Sequence, residues 1–254
     1  MKDHTGMVVL PFTKANEPPT SFMGTKYQRT GEEKYRLAAD RICAMLDLHP
    51  RTATGGFWHR DPKYPNQMWL DDDIISQWEK IEAVTRDPET GLLVHGFDES
   101  KTAIWADPVT GASPLVWGRA VVWYFMSLIE ILDIYPEHLK GYNKLLGYYK
   151  RLSLALLRAQ DPNTHGWWLV LSKQYVPAEG NYFESSAAAM FTYGWLAGLR
   201  RGYLDEKIYS SPAAKAYKHL IADFVKMHRN GTLTWEGTVQ AGSLNTEELC
   251  RLAH

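Results

Sequence analysis

The chain has 254 residues, of which 45% are hydrophobic, 22% charged and 13% aromatic, which suits a globular protein with one large core or two modest ones and excludes disorder and fibre. With 28 basic and 29 acidic side chains the formal net charge is -1, so no broad electropositive surface is expected and nucleic acid is excluded as a partner. The longest apolar stretch, residues 121–134, is interrupted by Ser127, Glu130 and Asp133 and falls short of the roughly 20 residues of a bilayer span, so no membrane association is expected.

Residues 1–20 read as an irregular N-terminal arm containing Pro11, Pro18 and Pro19. The apolar run from Met7 to Phe12 is too short for a secretion signal. Cys43 and Cys250 lie far apart without metal-ligand spacing, which fits a reducing compartment, and a cytoplasmic location is expected. Residues 21–254 read as a single all-α domain. A weak helix is expected at Ser21–Arg29. The string Thr30-Gly31-Glu32-Glu33 has the form of a capping box, and Tyr35, Ala38, Ile42, Met45 and Leu46 recur on one face of a helix over Gly31–Leu48. Further helices are predicted at Asp72–Arg86, Val116–Ile134, Leu139–Ala159, Glu184–Leu204 and Pro212–His228. No stretch alternates long enough to predict a strand.

A similar punctuation returns between the helices: residues 54–58 (TGGFW), 87–92 (DPETGL), 161–167 (DPNTHGW) and 230–235 (NGTLTW). Each is a turn of Asp, Pro, Thr or Gly followed by large apolar residues. The intervals Gly91–Gly166 and Gly166–Gly231 each hold two predicted helices, whereas Gly56–Gly91 holds one. This is the pattern of stacked helical hairpins with one helix lost, and the loops at one rim are where function is expected.

No zinc-protease helix, phosphate loop, dinucleotide fingerprint or serine-hydrolase elbow occurs, and the nine histidines show no metal-ligand spacing, so neither metal nor cofactor is expected. Two clusters carry candidate chemistry. The first joins Gly56-Phe57-Trp58-His59 to the arm ending Met68-Trp69-Leu70-Asp71. Asp71 set against Trp and Met would be desolvated, its pKa raised, and able to act as a general acid near neutrality; equally, it can cap the helix that follows, as Asp72 or Asp73 can. The second runs from His95 to Tyr124 and includes Trp117, Arg119 and Trp123. Those three either face one end of the array, with Arg119 clamping a carboxylate, or the indoles are core and Arg119 pairs with Asp98 or Asp107.

These strings resemble the unsaturated rhamnogalacturonyl hydrolases of glycoside hydrolase family 105, relatives of the unsaturated glucuronyl hydrolases of family 88. The resemblance rests on GGFWH with YPNQMWLD, on GLLVHGFDES, on WADPVTGASPLVWGRA and on NYFESSAAAMF at residues 181–191. It implies an (α/α)6 barrel and hydration of the C4=C5 bond of a terminal unsaturated galacturonate on a small pectin-derived oligosaccharide, with release of rhamnose or another aglycone. It further implies Asp71 as general acid/base and His59, His95, Trp117, Arg119 and Trp123 as substrate-binding residues.

The chain departs from the family pattern in four places. After MWLD the sequence passes straight to Asp72-Asp73-Ile74, as though one internal helix were skipped. Helices are missing before Ser21 and beyond the Gly231 loop. No acid stands near Lys14-Ala15-Asn16, where a second family aspartate is expected. Val122 replaces a family glycine and adds bulk beside Trp123. Such an incomplete barrel is expected to be unstable, weakly active or completed by self-association. A non-catalytic sugar-binding descendant is the alternative reading, and a helical-repeat interaction scaffold a third.

Overall fold

The order of helices and loops follows from where apolar stripes of period 3.6 give way to Asp, Pro and Gly, and the computed structural model places six α-helices at those stripes among the described residues. It describes residues 26–27, 29–58, 65–69, 78–139 and 141–240. The helices are α1 (Glu33–Asp47), α2 (Trp78–Thr85), α3 (Gly118–Ile134), α4 (Tyr142–Ala159), α5 (Ser185–Arg200) and α6 (Glu206–Phe224). Short strands accompany them: β1 (Gln67–Trp69), β2 (Gly96–Asp98), β3 (Val225–Met227) and β4 (Leu233–Trp235). The chain divides into two units, residues 1–68 and 69–254. The N-terminal arm, most of the weak helix before Arg29 and the start of the Asp72–Arg86 helix lie outside the described residues. No helix among the described residues is long and apolar enough to cross a membrane.

In the first unit, the stripe expected on α1 is present, but only Leu46 is buried; Tyr35, Ala38, Ile42 and Met45 are half-covered. The anticipated capping box does not form. Glu32 is the N-cap and its side chain makes no capping bond. Thr30 Oγ1 instead accepts from the Glu32 N–H (3.2 Å) and donates to the Lys26 carbonyl (2.8 Å), closing the preceding helical turn. After α1, the Thr52 hydroxyl accepts from the Gly56 N–H (3.0 Å) and Arg51 lies 4.0 Å over the Phe57 ring. A Cβ on Gly56 would sit 1.7 Å from Met68 Sδ, so this glycine lets the GGFW arm pack on the Met68 side chain.

The second unit is built from hairpins. Helix α3 packs on both α4 and α5, and α5 packs on α6. The two intervals marked in the sequence each contain a helix pair, α3–α4 and α5–α6, as expected. The largest fully buried side chains are Trp167, Trp195, Tyr124, Tyr149, Phe125 and Phe191. Phe125 stacks on Tyr149 at 5.1 Å, and the Tyr149 hydroxyl donates to the Gly194 carbonyl (2.8 Å). A Cβ on Gly194 would lie 2.2 Å from Phe125, and one on Gly198 2.0 Å from the Tyr149 oxygen. The glycines of α5 are therefore the seats into which aromatic rings of α3 and α4 fit. Buried Glu82 of α2 is offset by Arg86 (2.6 Å) and accepts from the Tyr124 hydroxyl (2.8 Å), which ties α2 to α3.

Both ends of α6 differ from the sequence reading. Helix α6 begins at Glu206, six residues before Pro212, because Asp205 caps it by accepting from the Lys207 N–H (2.8 Å); Pro212 is carried inside the helix. It also ends at Phe224, because Val225–Met227 pair antiparallel with Leu233–Trp235. These strands, three residues each, are too short for an alternating pattern to be visible in sequence.

Candidate active site

Two of the punctuating loops share one hydrogen-bonding scheme. In residues 87–91 the Gly91 N–H donates to the Asp87 carbonyl (2.9 Å) and the Glu89 N–H to the Asp87 carboxylate (3.0 Å). Residues 161–165 repeat it, with the His165 N–H on the Asp161 carbonyl (2.9 Å) and the Thr164 N–H on the Asp161 carboxylate (2.7 Å). A copy unrecognised from sequence stands at Asp107-Pro108-Val109-Thr110-Gly111, where Gly111 donates to the Asp107 carbonyl (2.7 Å). The fifth residue takes positive φ in all three: Gly91 at 75°, Gly111 at 83° and His165 at 64°. The turn is thus D-P-x-T followed by a left-handed residue.

The Thr110 N–H and hydroxyl and the Val109 N–H hold the Asp107 carboxyl below its ordinary range. Around Asp161 burial acts upward but is outweighed by the Thr164 and Asn163 N–H groups and the Thr164 hydroxyl, so that carboxyl is also lowered. A carboxyl lowered on folding contributes stability that is full above its unfolded value, about pH 4, and is lost as pH falls through the folded value. Melting temperature should therefore fall more steeply below about pH 4 for the wild-type chain than for an Asp107→Asn/Asp161→Asn variant. Parallel acid slopes would contradict this.

These loops deliver the site to the N-terminus of α3. The His95 N–H donates to the Leu115 carbonyl (2.8 Å), and its buried ring lies 4.7 Å from the Trp117 indole, tilted by 41°. Trp117 is the N-cap of α3, with φ -95° and ψ 118°. It bridges to Val170 in an antiparallel contact, and the next N–H, Gly118, donates to the Leu169 carbonyl (2.8 Å). A Cβ on Gly118 would come within 3.3 Å of the carbonyls of Trp168 and Leu169, so the start of α3 sits directly on that loop. Trp117 and Trp123 are both half-buried rather than fully enclosed. Arg119 and Trp123, four residues apart, share one side of α3.

Arg119 Nη2 donates to the Val239 carbonyl (2.8 Å) and approaches Glu184 Oε1 at 3.3 Å. The alternative pairings with Asp98 and Asp107 do not form. The Asp98 carboxylate accepts from the N–H groups of Ser100 (3.0 Å), Thr102 (2.9 Å) and Ala103 (2.7 Å), and Asp107 closes its own turn. Val122 is fully buried in the core cluster, so its extra bulk is absorbed by packing among the helices rather than beside Trp123 at the site.

Glu184 went unassigned in sequence although it lies in the NYFESS string. It is fully buried and is the N-cap of α5, accepting from Ser186 (3.2 Å) and Ala187 (2.7 Å) N–H groups. An acid immediately before a Ser-Ser-Ala helix start was the available signal. His59 and Asp71, the two ends of the first cluster, lie outside the described residues. The structure therefore brings His95 and Trp117 together, places Arg119 two residues on with Trp123 one turn further along α3, and joins Glu184 and Val239 to Arg119.

The model of Glycosyl Hydrolase Family 88 matches this chain over residues 18–72 and 72–249, in two segments that meet immediately after Asp71. Protein Atu3128 of Agrobacterium fabrum is 35% identical over 178 residues, covering 69% of this chain and 74% of that protein. A solved glycoside hydrolase of family 105 from C. acetobutylicum ATCC 824 has a TM-score of 0.79 and 34% identity, covering 88% of this chain and 67% of that one. The unsaturated glucuronyl hydrolase of Bacillus sp. GL1 shares the fold, with a TM-score of 0.56 at 15% identity over 84% of this chain and 63% of its own. The chain thus spans about two thirds of the length of these solved structures. A family model matched across nearly the whole sequence, together with the helical hairpins, makes this chain a member of glycosyl hydrolase family 88, related to family 105, with the (α/α)6 glycosidase fold over the part it spans.

Proposed function

We propose that the chain hydrates the C4=C5 bond of an unsaturated galacturonyl residue at the non-reducing end of a short rhamnogalacturonan oligosaccharide. The observation that carries this reading is the cluster of His95, Trp117 and Arg119 at the start of α3: an imidazole 4.7 Å from an indole, and a guanidinium two residues further on. An indole provides a stacking surface for a sugar ring, and a guanidinium offsets a uronate carboxylate. The match of the first family segment through residue 72 includes Asp71, which supports carrying the general acid/base role to that residue.

In this mechanism the Asp71 carboxyl donates its proton to C4, and the carboxylate so formed takes a proton from the water that adds its oxygen to C5. The resulting hemiketal opens to a C5 ketone, leaving a hydroxyl on C1 whose hemiacetal expels the aglycone as an alcohol. One water is consumed in the addition. His59 and His95 hold hydroxyls or the uronate, and Trp117 and Trp123 stack on the sugar. No second carboxylate attacks the anomeric carbon, so the spacing rule for paired glycosidase carboxylates does not apply. Turnover of an unsaturated galacturonyl-rhamnose disaccharide in heavy water should place deuterium at C4 of the product. Release of rhamnose without deuterium at C4 would show ordinary glycosidic cleavage instead.

One observation favours a second reading, a sugar-binding descendant that has lost turnover: the family match breaks at residue 72, beside the proposed acid. Binding of the disaccharide without loss of its double bond would support that reading.

A further inference from the structure

Glu184 has more partners than a helix cap needs. Capping α5 requires one acceptor for the first free N–H groups, which Ser, Thr, Asp or Asn supplies from a partly exposed position. Glu184 is instead 0% exposed, and its carboxylate also accepts from the Val239 N–H (3.1 Å) while standing 3.3 Å from Arg119 Nη2. The same Nη2 donates to the Val239 carbonyl, so Glu184, Arg119 and both polar groups of the Val239 backbone close one ring of contacts.

Val239 is held there by the strap that follows β4. The Ser185 N–H donates to the Gly237 carbonyl (3.0 Å). Thr238 Oγ1 bonds to Ser185 Oγ (2.8 Å) and accepts from the Trp235 indole (3.0 Å). The Val239 side chain packs on Leu115, Leu169 and Val170, beneath the loop that seats the start of α3. Of the five Arg119 donors, those on Nη2 are committed to Glu184 and to Val239 of this strap, and Nε is buried without an acceptor among the described residues. The Nη1 edge is what remains for a ligand, so a carboxylate meets a guanidinium already fixed in orientation and engages it through one nitrogen rather than as a two-nitrogen clamp.

We propose that Glu184, through the Gly237–Val239 strap, is the positioning residue that sets the preference of the site for a uronate over a neutral sugar. This rests on the reading of Arg119 as the carboxylate-binding residue. The test is the ratio of affinities, by calorimetry on the full chain, for galacturonosyl-rhamnose and for galactosyl-rhamnose, which differ only in the carboxylate. Because both sugars occupy the same folded fraction, partial misfolding does not move the ratio.

A charge-assisted hydrogen bond predicts a wild-type preference of about ten- to a hundredfold for the acidic disaccharide. Glu184→Gln, whose NH2 group must face a donor in a site where Arg119, Val239, Ser186 and Ala187 all donate, frees the guanidinium from its fixed orientation and should reduce the preference to about threefold or less, and Thr238→Val, an exposed change that releases the strap, should give an intermediate value, with neutral-sugar affinity held within about threefold in both. An unchanged ratio in Glu184→Gln overturns the proposal, as does a wild-type chain that does not distinguish the two sugars. Should Glu184→Gln fail to fold, Thr238→Val decides alone, and an unchanged ratio there is equally fatal. A wild-type chain that prefers the acid but turns over no unsaturated substrate defeats the hydration reading and leaves this one standing.

Discussion

Asp71→Asn should lower turnover of an unsaturated galacturonyl disaccharide by about 10²–10⁴-fold or more while leaving its binding nearly unchanged. The amide cannot deliver a proton to C4, and it cannot take one from the attacking water. Binding should survive because the groups proposed to grip the sugar, His95, Trp117 and Arg119, have anchors among the described residues: the Leu115 carbonyl for His95, Leu169 for the start of α3, and Val239 for Arg119. The comparison is made by following the double bond under saturating substrate and by calorimetry with the same variant. Turnover above about a tenth of the wild-type value would remove Asp71 from the acid role.

The second large effect is on stability. Trp167→Ala should cost about 3–5 kcal/mol, a large share of the 5–15 kcal/mol available to a typical domain. The indole is 0% exposed, with the rings of Trp195 at 5.1 Å and Phe191 at 5.4 Å, and its N–H donates to the Leu156 carbonyl at 2.9 Å. Truncation thus removes a large apolar volume between α4 and α5 and strands a buried carbonyl. Trp167→Phe should recover part of the loss, since the ring volume is mostly kept while the hydrogen bond is not. Neighbouring Trp168 is half-buried and serves as the control, with a smaller loss on truncation. Urea unfolding measures both; a Trp167→Ala midpoint within error of wild type would contradict the packing described.

Helix positions were legible in the sequence because each stripe recurs every three or four residues and most end near a Pro or Gly. Helices α3, α4 and α5 fall within a few residues of the periodicity. Where the reading failed, a short-range signal was overridden. Thr30-Gly31-Glu32-Glu33 has capping-box form, yet the Thr30 hydroxyl is committed to the turn before it. Pro212 resembles a helix start, but Asp205 caps earlier. The β3–β4 hairpin depends on pairing between strands of three residues, which no local pattern announces.

The site divides in the same way. Trp117, Arg119 and Trp123 were readable as residues gathered along one helix by chain order, and His95 joins them through the bond of its N–H to the Leu115 carbonyl. The partner of Arg119 was not readable. Glu184 is 65 residues away and Val239 120, and only the fold brings them together. Asp98 and Asp107, nearer in sequence, are spent on their own loop N–H groups. A buried acid that caps a helix and holds an arginine looks in sequence like any helix cap.

The ultraviolet absorbance of an unsaturated rhamnogalacturonan disaccharide incubated with the purified chain tests the central claim most directly, since hydration removes the conjugated double bond and its absorbance together. The account predicts a steady fall that stops with Asp71→Asn. A flat trace from folded wild-type protein that nevertheless binds the disaccharide would contradict it.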